Sequence, residues 1–443
     1  MKRTDHQSKF DALRKEFSTF TFENQTVTRQ NGTLSLAFDF SLDDRYHFRP
    51  TLEIPARSFF DWDGIPEEVL QVLAFQIGMT ELVSYWKIAC PKRVVVKPFA
   101  LTESQKRFWK KLYYNGLGEF LYLNSISVSE ADLMEIEPLP IDSVPAHDLR
   151  GNDMGSWFEE QPLVPIGGGK DSVVTLECLR REMPVIPMIV NPRGATLNCV
   201  KTAGYQEDQF IVINRTLDPT MLKLNAEGYL NGHTPFSALL AFISILVAFG
   251  SRSKYIALSN ENSANESTVP GTNINHQYSK SIEFESDLRN YVAENISEEV
   301  QYFSFLRPLS ELQIAKLFSQ CEAYHPVFRS CNVGSKTDSW CGHCPKCLFT
   351  WIILSPFLPK EKLVAIFGKD LMADESLRPI FEELNGTAPV KPFECVGTVE
   401  EVRACMEAVN GNRDKVDDIL RRFNENHFLP PQFEQILKNH LHV

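Results

Sequence analysis

The sequence predicts an α/β protein: a doubly wound parallel sheet, preceded by an α+β domain and followed by a helical piece. Three observations predict this. Apolar strand runs alternate with helical runs from Gln161 onward, period-two alternation dominates residues 18 to 54, and only short helical patterns follow Trp351. The expected domains are therefore 1–150, 151–355 and 356–443.

In the first domain, Phe20 to Phe22, Thr26 to Thr28 and Leu34 to Phe38 read as strand, and Asn31-Gly32 is a hairpin turn between the second and third. Helical periodicity runs from Pro66 to about Lys87. It resumes after Thr102, which forms a capping box with Gln105. The proline-bearing stretch Glu135 to Asp153 reads as a linker. Beyond it the strand candidates are Leu163 to Ile166, Val185 to Val190, Phe210 to Ile213, Tyr255 to Ser259 and Tyr302 to Leu306. Ligands in such sheets bind beyond the carboxyl ends of the strands. Here those ends carry Gly167 to Ser172, Asn191 to Gly194, Asn214-Arg215 and Asn260 to Asn262. Phe236 to Phe249 is too short to span a bilayer. With Thr234 as N-cap, Pro235 at the first helical position and Gly250 at the end, it reads as a buried helix. The run Val416 to Phe423 reads as one of the short C-terminal helices.

Composition narrows the function. A formal net charge of −12, from 45 basic and 57 acidic residues, supplies no basic field for nucleic acid and counts against a tRNA-modifying enzyme. Hydrophobic residues at 43% and charged residues at 23% are those of a soluble globular chain. The polar N-terminus lacks the apolar core of a secretory signal, and ten cysteines without such a signal point to reduced thiols or metal ligands. A cytoplasmic protein without membrane insertion is expected. Oligomeric state cannot be read from the chain.

The sharpest local signal is Leu163 to Ser172, where an apolar strand breaks into Gly167-Gly168-Gly169 and opens a helix with Lys170-Asp171-Ser172. Residues without a Cβ let backbone N–H groups approach an anion, and the helix adds its positive N-terminal end. Lys170 is a candidate point charge for the phosphates, Asp171 a candidate magnesium contact and Ser172 a hydroxyl donor. The spacing is not that of a Walker A loop.

Cys331, Cys341, Cys344 and Cys347 form C-x9-C-G-H-C-x2-C, the spacing of a thiolate cage for a structural zinc ion. An iron–sulfur cluster is the lesser alternative, and His343 or His325 is a candidate to replace a cysteine. Cys199 follows the second strand of the sheet and reads as a buried, inert thiol.

Polar groups concentrate at Asn260 to Ser263 and Asn273 to Ser281. Glu261 and His276 are candidate bases, Lys280 a candidate to neutralise a phosphate or an enolate, and Tyr278 a candidate acid or stacking surface. Arg307 and Arg329 suit either an anion clamp or a structural ion pair. Ser84 to Lys87 and Leu117 to Phe120 combine aromatics with charge and suit either an acceptor-substrate surface or core packing.

The glycine loop resembles the pyrophosphatase loop (PP-loop) of ATP-pyrophosphatases, S-G-G-x-D-S, with Gly167 in place of the serine. The cysteine pattern is similar to that of the cyano-deazaguanine synthase family, where it holds structural zinc. Together, Val83 to Lys87, Leu117 to Phe120, Pro165 to Ser172, Asn275 to Ser281 and Ser339 to Cys347 resemble the UDP-N-acetylmuramoyl-L-alanyl-L-glutamate epimerase family, MurL.

That resemblance implies an ATP- and magnesium-dependent isomerase of peptidoglycan-precursor synthesis. It would invert the terminal L-glutamate of UDP-MurNAc-L-Ala-L-Glu through an acyl-adenylate, releasing AMP and pyrophosphate. It implies ATP phosphates on Gly167 to Ser172, magnesium on Asp171, and a proton-transfer pair drawn from His276, Tyr278, Lys280 or Glu261. Two other readings stay open: another adenylating ligase that forms an amide or nitrile, and a nucleotide-binding sensor without turnover.

Overall fold

The computed structural model describes residues 3–139, 157–269, 271–272 and 274–441. The greater part of the expected linker, with Pro140 and Pro145, lies outside them, as does Asn273. Two compact units emerge, each assembled from three stretches of chain. The first comprises 1–160, 213–254 and 278–301, and the second 161–212, 255–277 and 302–443.

In the first unit, β1 (Thr19–Gln30) and β2 (Thr33–Leu42) form an antiparallel hairpin. Asn31 and Gly32 both take positive φ, 51° and 74°, as the tight turn between right-twisted strands requires. The two strand runs expected before this turn are one strand, continuous through an irregularity between Phe22 and Asn24. β3 (Tyr46–Phe48) and β4 (Thr51–Ile54) pair antiparallel with β2, while β5 (Arg93–Val96) and β6 (Glu135–Pro138) extend the other edge in parallel. The start of the expected linker is therefore strand, its backbone groups paired to β5.

The helix Glu67–Trp86 lies on this sheet and is buried along most of its length, as suits an element apolar on nearly every face. At Gly78 a Cβ would stand 2.3 Å from the Phe22 ring, so the glycine sets the approach of helix to sheet. Thr102 and Gln105 form the expected capping box of the helix Glu103–Gly116.

The apolar helix Phe236–Ser251 departs from expectation at both ends. Pro235, rather than Thr234, is the N-cap, and Gly250 lies inside the helix. A Cβ at Gly250 would meet the Trp62 ring at 2.2 Å, so the glycine serves close packing. The left-handed C-cap is Arg252, φ 58°, held by its Nε donating to Trp157 O at 2.9 Å and by its guanidinium 5.1 Å from the Trp157 ring.

Of the remaining strands, β7 (Glu159–Pro165), β8 (Ile186–Val190), β10 (Ser253–Leu258) and β11 (Gln301–Ser304) lie wholly or mostly in the second unit, with β7, β10 and β11 beginning on first-unit residues, while β9 (Ile211–Thr216) starts in the second unit and passes into the first at Ile213. Their order is β11-β10-β7-β8-β9, with β7 and β8 parallel. The strand order runs outward from β7 in both directions, so the chain after β7 emerges where the sheet reverses direction, the place where such sheets bind ligands. Asn214 and Arg215 do not end a strand. They continue β9 and pair antiparallel with Leu52 and Glu53 of β4 inside the first unit.

The C-terminal helices Pro345–Leu354, Val399–Val409 and Pro431–Leu441 share one apolar core with this sheet. Phe433 packs its ring 4.9 Å from Tyr255 and 4.8 Å from Phe303. The short helix expected near Val416 is present as Asp414–Leu420. Among the described residues, no helix is long and apolar enough to cross a membrane.

Candidate active site and thiol cage

The helix Lys170–Leu179 opens directly from the glycines. Gly168 has φ 78°, and a Cβ there would lie 2.9 Å from the backbone of Ala195 and Thr196, so only glycine fits. Gly167 faces open space, with nothing within 4 Å of its Cβ position. The loop is held from behind by Arg329 N donating to Gly168 O at 2.8 Å. No backbone N–H from Gly167 to Ser172 donates to another described residue. A helix start leaves several such donors without partners. Here they continue through three glycines, a run of free donors suited to an oxyanion.

The polar side chains of this loop are already engaged. Ser172 Oγ donates to Gly169 O at 3.0 Å. The buried Lys170 ammonium donates to Asp171 at 2.5 Å and to the buried carboxylate of Glu311. Burial would lower the Lys170 pKa, but the carboxylates of Asp171 and Glu311 outweigh it and raise the pKa above its usual value. Glu311 is pushed well above the carboxylate range by burial and by the charges of Asp171, Glu261 and Glu401, against the pull of Lys170. Two carboxyl groups thus meet the ammonium, and Glu261 and Glu401 add their charge around Glu311. Asp171, with its side chain 36% exposed, is the one open to solvent.

Two residues here escaped sequence reasoning. Glu311 is the first residue of a helix capped by Ser310 and Gln313, and that Ser-x-x-Gln capping box was the available signal. Ser330 places its buried Oγ 3.0 Å from the Cβ position of Gly169, without a hydrogen-bond partner among the described residues. Nothing in the sequence distinguishes it from any serine beside a cysteine.

Glu261 is buried after β10 and accepts from Ala264 N at 2.9 Å, capping the short turn Asn262–Asn265. Arg307, fully buried, donates to Glu261 O at 2.7 Å and to Ser304 Oγ at 3.2 Å, which makes it a brace for this turn. Arg329 likewise donates to the carbonyls of Pro326 and Asp338. His276 is half-buried, edge-on to Phe393 with ring centroids 6.5 Å apart, and its N–H donates to Thr268 Oγ1 at 3.0 Å. Gly167 to Ser172, Glu261 and His276 thus belong to the second unit, whereas Tyr278 and Lys280 form a short turn of the first. Burial, with the charges of Glu283, Asp287 and Glu130, holds the Tyr278 phenol above its usual range.

The four cysteine sulfurs gather as one group, all within 4.8 Å of one another. Cys331–Cys344 and Cys341–Cys347 are 3.6 Å apart and Cys344–Cys347 3.5 Å. These spacings are too long for disulfides, which need about 2.0 Å. They approach the about 3.8 Å between thiolates on a tetrahedral zinc ion with 2.3 Å bonds. Gly334 N donates to Cys331 Sγ at 3.1 Å, as a backbone amide does to a metal-bound thiolate. His343 Nδ1 instead lies 2.7 Å from Cys341 O, and His325 packs on Phe318 with Nε2 near that residue's carbonyl, so neither joins the four sulfurs. Cys199 is fully buried, its thiol pushed up to about 12 by burial, which leaves it inert.

Fold and site define a mixed α/β protein with a glycine loop opening a helix at the reversal point of its sheet and a separate cluster of four thiols. Family models named MurL N-terminal domain and MurL C-terminal domain match residues 11–305 and 327–431. The chain is 37% identical over 402 residues to the UDP-N-acetyl-alpha-D-muramoyl-L-alanyl-L-glutamate epimerase of a Micromonospora species, covering 87% of this chain and 86% of that one. To the protein of the same name from Salinispora tropica it is 35% identical, over 87% of this chain and 84% of that one. To that of Xanthomonas oryzae pv. oryzae it is 33% identical, over 92% and 89%. The chain belongs to the MurL family. No solved structure matches it.

Proposed function

We propose that the protein is an ATP-dependent epimerase that inverts the terminal L-glutamate of UDP-MurNAc-L-Ala-L-Glu. What carries the reading is similarity over most of the chain to relatives named for that reaction. The row of unpaired N–H groups from Gly167 to Ser172 supports the ATP requirement.

The chemistry explains why an epimerase would use such a loop. An ionised α-carboxylate makes the neighbouring C–H a poor acid, because deprotonation places two negative charges side by side. In the proposed reaction a carboxylate oxygen attacks the α-phosphorus of ATP and pyrophosphate leaves. The resulting mixed anhydride carries a neutral acyl group whose enolate is far more accessible. A base then removes the α-proton, a proton returns to the opposite face, and water cleaves the anhydride to carboxylate and AMP.

The loop N–H groups receive the phosphates, and Lys170 holds Asp171 and Glu311 in place behind them. Asp171 is the carboxylate proposed for magnesium, its solvent-facing oxygen and acidic surroundings suiting a hard cation. The proton-transfer pair comes from His276, Tyr278, Lys280 and Glu261. Of these, Tyr278 is suited to donate, since its raised pKa keeps the proton on at neutral pH. Cys331, Cys341, Cys344 and Cys347 would hold zinc as a closed structural site, and the ion would supply folding free energy.

The test is incubation with ATP, magnesium and UDP-MurNAc-L-Ala-L-Glu, followed by chiral analysis of the hydrolysed glutamate with AMP and pyrophosphate assays. D-Glutamate appearing with AMP is the expected result. AMP without D-glutamate would redirect the adenylation to another carboxylate, and neither product would end the reading.

A further inference from the structure

The first unit contains a cavity of about 120 Å³ that the loop chemistry does not use. Thr80, Ser84 and Lys87, spaced along one face at the end of the helix Glu67–Trp86, supply one wall. Arg215 of β9 and Thr234 add further polar groups to the lining, and Leu239 is among its apolar residues.

The charges in and around this cavity do not balance. Arg215 is spent on Glu81, held by two hydrogen bonds, one of them 2.7 Å long, with Glu81 buried. Lys87 is 6% exposed, and among the described residues its ammonium meets only a neutral group, donating to Gly232 O at 2.6 Å. The other titratable groups near it add no anion. The Cys90 thiol is raised far above its usual range by burial, and the Tyr85 phenol by burial and Glu81. Glu119, whose carboxylate lies 3.6 Å from His233 Nδ1, is not among the charges that act on Lys87. A buried ammonium without a counter-charge is costly unless an anion arrives to meet it. Burial, aided by Arg215, accordingly holds Lys87 down to about 8. Ser84 Oγ, one helical turn before Lys87, makes no hydrogen bond to a described residue and is a ready second donor.

We propose that this cavity is an oxyanion subsite, in which Lys87 and Ser84 receive one carboxylate or phosphate group of the substrate. The volume suits a single such group with a few waters and is below the roughly 300 Å³ of a whole small-molecule site. The rest of the substrate therefore lies outside it. The subsite itself does not depend on the epimerase reading. Only the bearer of the group does, because UDP-MurNAc-L-Ala-L-Glu carries both carboxylates and a diphosphate.

The test measures binding of glutarate, inorganic phosphate and UDP to the full chain by calorimetry near pH 8, in two buffers of different ionisation enthalpy. Binding with net proton uptake is expected, since the anion restores the charge on Lys87. Lys87→Met should weaken the bound probe roughly 10- to 100-fold and abolish the uptake, Lys87→Arg should restore part of the affinity, and Ser84→Ala should weaken it less. Glutarate preference would assign the group to a carboxylate, and UDP or phosphate preference to the diphosphate. If the enzyme epimerises, Lys87→Met should raise KM for the sugar-peptide and leave KM for ATP unchanged. Probe binding unaltered in both Lys87→Met and Ser84→Ala, or no binding of any probe to the wild type, would overturn the subsite even if D-glutamate is made. Bound probe without D-glutamate would overturn the epimerase reading and leave the subsite standing.

Discussion

The Lys170 ammonium and the Glu311 carboxylate form a buried ion pair immediately behind the glycine loop, joining the first residue of one helix to the first residue of another. Removing Glu311 leaves the buried ammonium with the partly exposed Asp171 alone, which costs about 1–3 kcal/mol. Glu311→Ala should lower unfolding free energy by that order in urea denaturation. Glu311→Gln should cost less, because the amide still accepts from Lys170. An alanine variant as stable as the wild type would show that the pair is not closed in solution.

Two glycines of the loop should respond in opposite ways. Gly168→Ala places a Cβ against the backbone of Ala195 and Thr196 at positive φ. It should cost about 1–3 kcal/mol of stability and most of the ATP-dependent pyrophosphate release. Gly167→Ser enters open space and should leave both within a few-fold of wild type.

Beside Gly169, Ser330 carries a buried hydroxyl without a partner among the described residues. Ser330→Ala removes a group that gains nothing in the free protein, so stability should change by less than about 0.5 kcal/mol. KM for ATP should rise if the hydroxyl completes the phosphate contacts that Gly167 leaves short, and an unchanged KM would assign Ser330 no part in them.

The four thiols should bind one zinc ion per chain, measurable by metal analysis of protein purified without added metal. Cys347→Ser, or a strong chelator, should lower Tm by several degrees or more and expose the core around Phe349 and Trp351 to fluorescence quenchers. Metal-free protein of undiminished Tm would exclude a structural ion.

Lys87 makes stability depend on pH in a particular direction. Its folded-state pKa is about 8, against a usual lysine value of 10.5. Between those values the unfolded chain holds a proton that the folded protein has released, so stability rises with pH across that window, by roughly 3 kcal/mol at its upper end. Urea denaturation at about pH 8 and about pH 10 should show the rise in wild type and a smaller one in Lys87→Met. Equal slopes would mean that Lys87 is solvated.

Features legible in the sequence were those whose cause is local. The Asn31-Gly32 turn, the Thr102 capping box and the glycine loop each follow from a few adjacent residues and the backbone conformations they permit. The reading failed where a distant residue decided. Gly250 is a sound helix stop by propensity, yet Trp62 occupies the space a Cβ would need, so the helix runs on to Arg252. Asn214 and Arg215 stand where a strand should end, yet β4 offers its edge and the strand continues. Of the charged and aromatic residues around Ser84, the rings of Tyr85 and Trp86 are core, and Ser84 and Lys87 line the cavity.

By itself the sequence determined the alternation of strand and helix, the glycine loop that opens a helix, the cysteine spacing and the likeness to the MurL family, because each is written in neighbouring residues or in a short spacing. Only the tertiary structure decided that Glu311 answers Lys170, that Ser330 stands beside Gly169, and that Lys87 lines one cavity with Arg215, buried and with no acid of its own among the described residues. Those relationships join residues far apart along the chain. Their energies depend on burial and on distance in space, which chain composition and periodicity do not record.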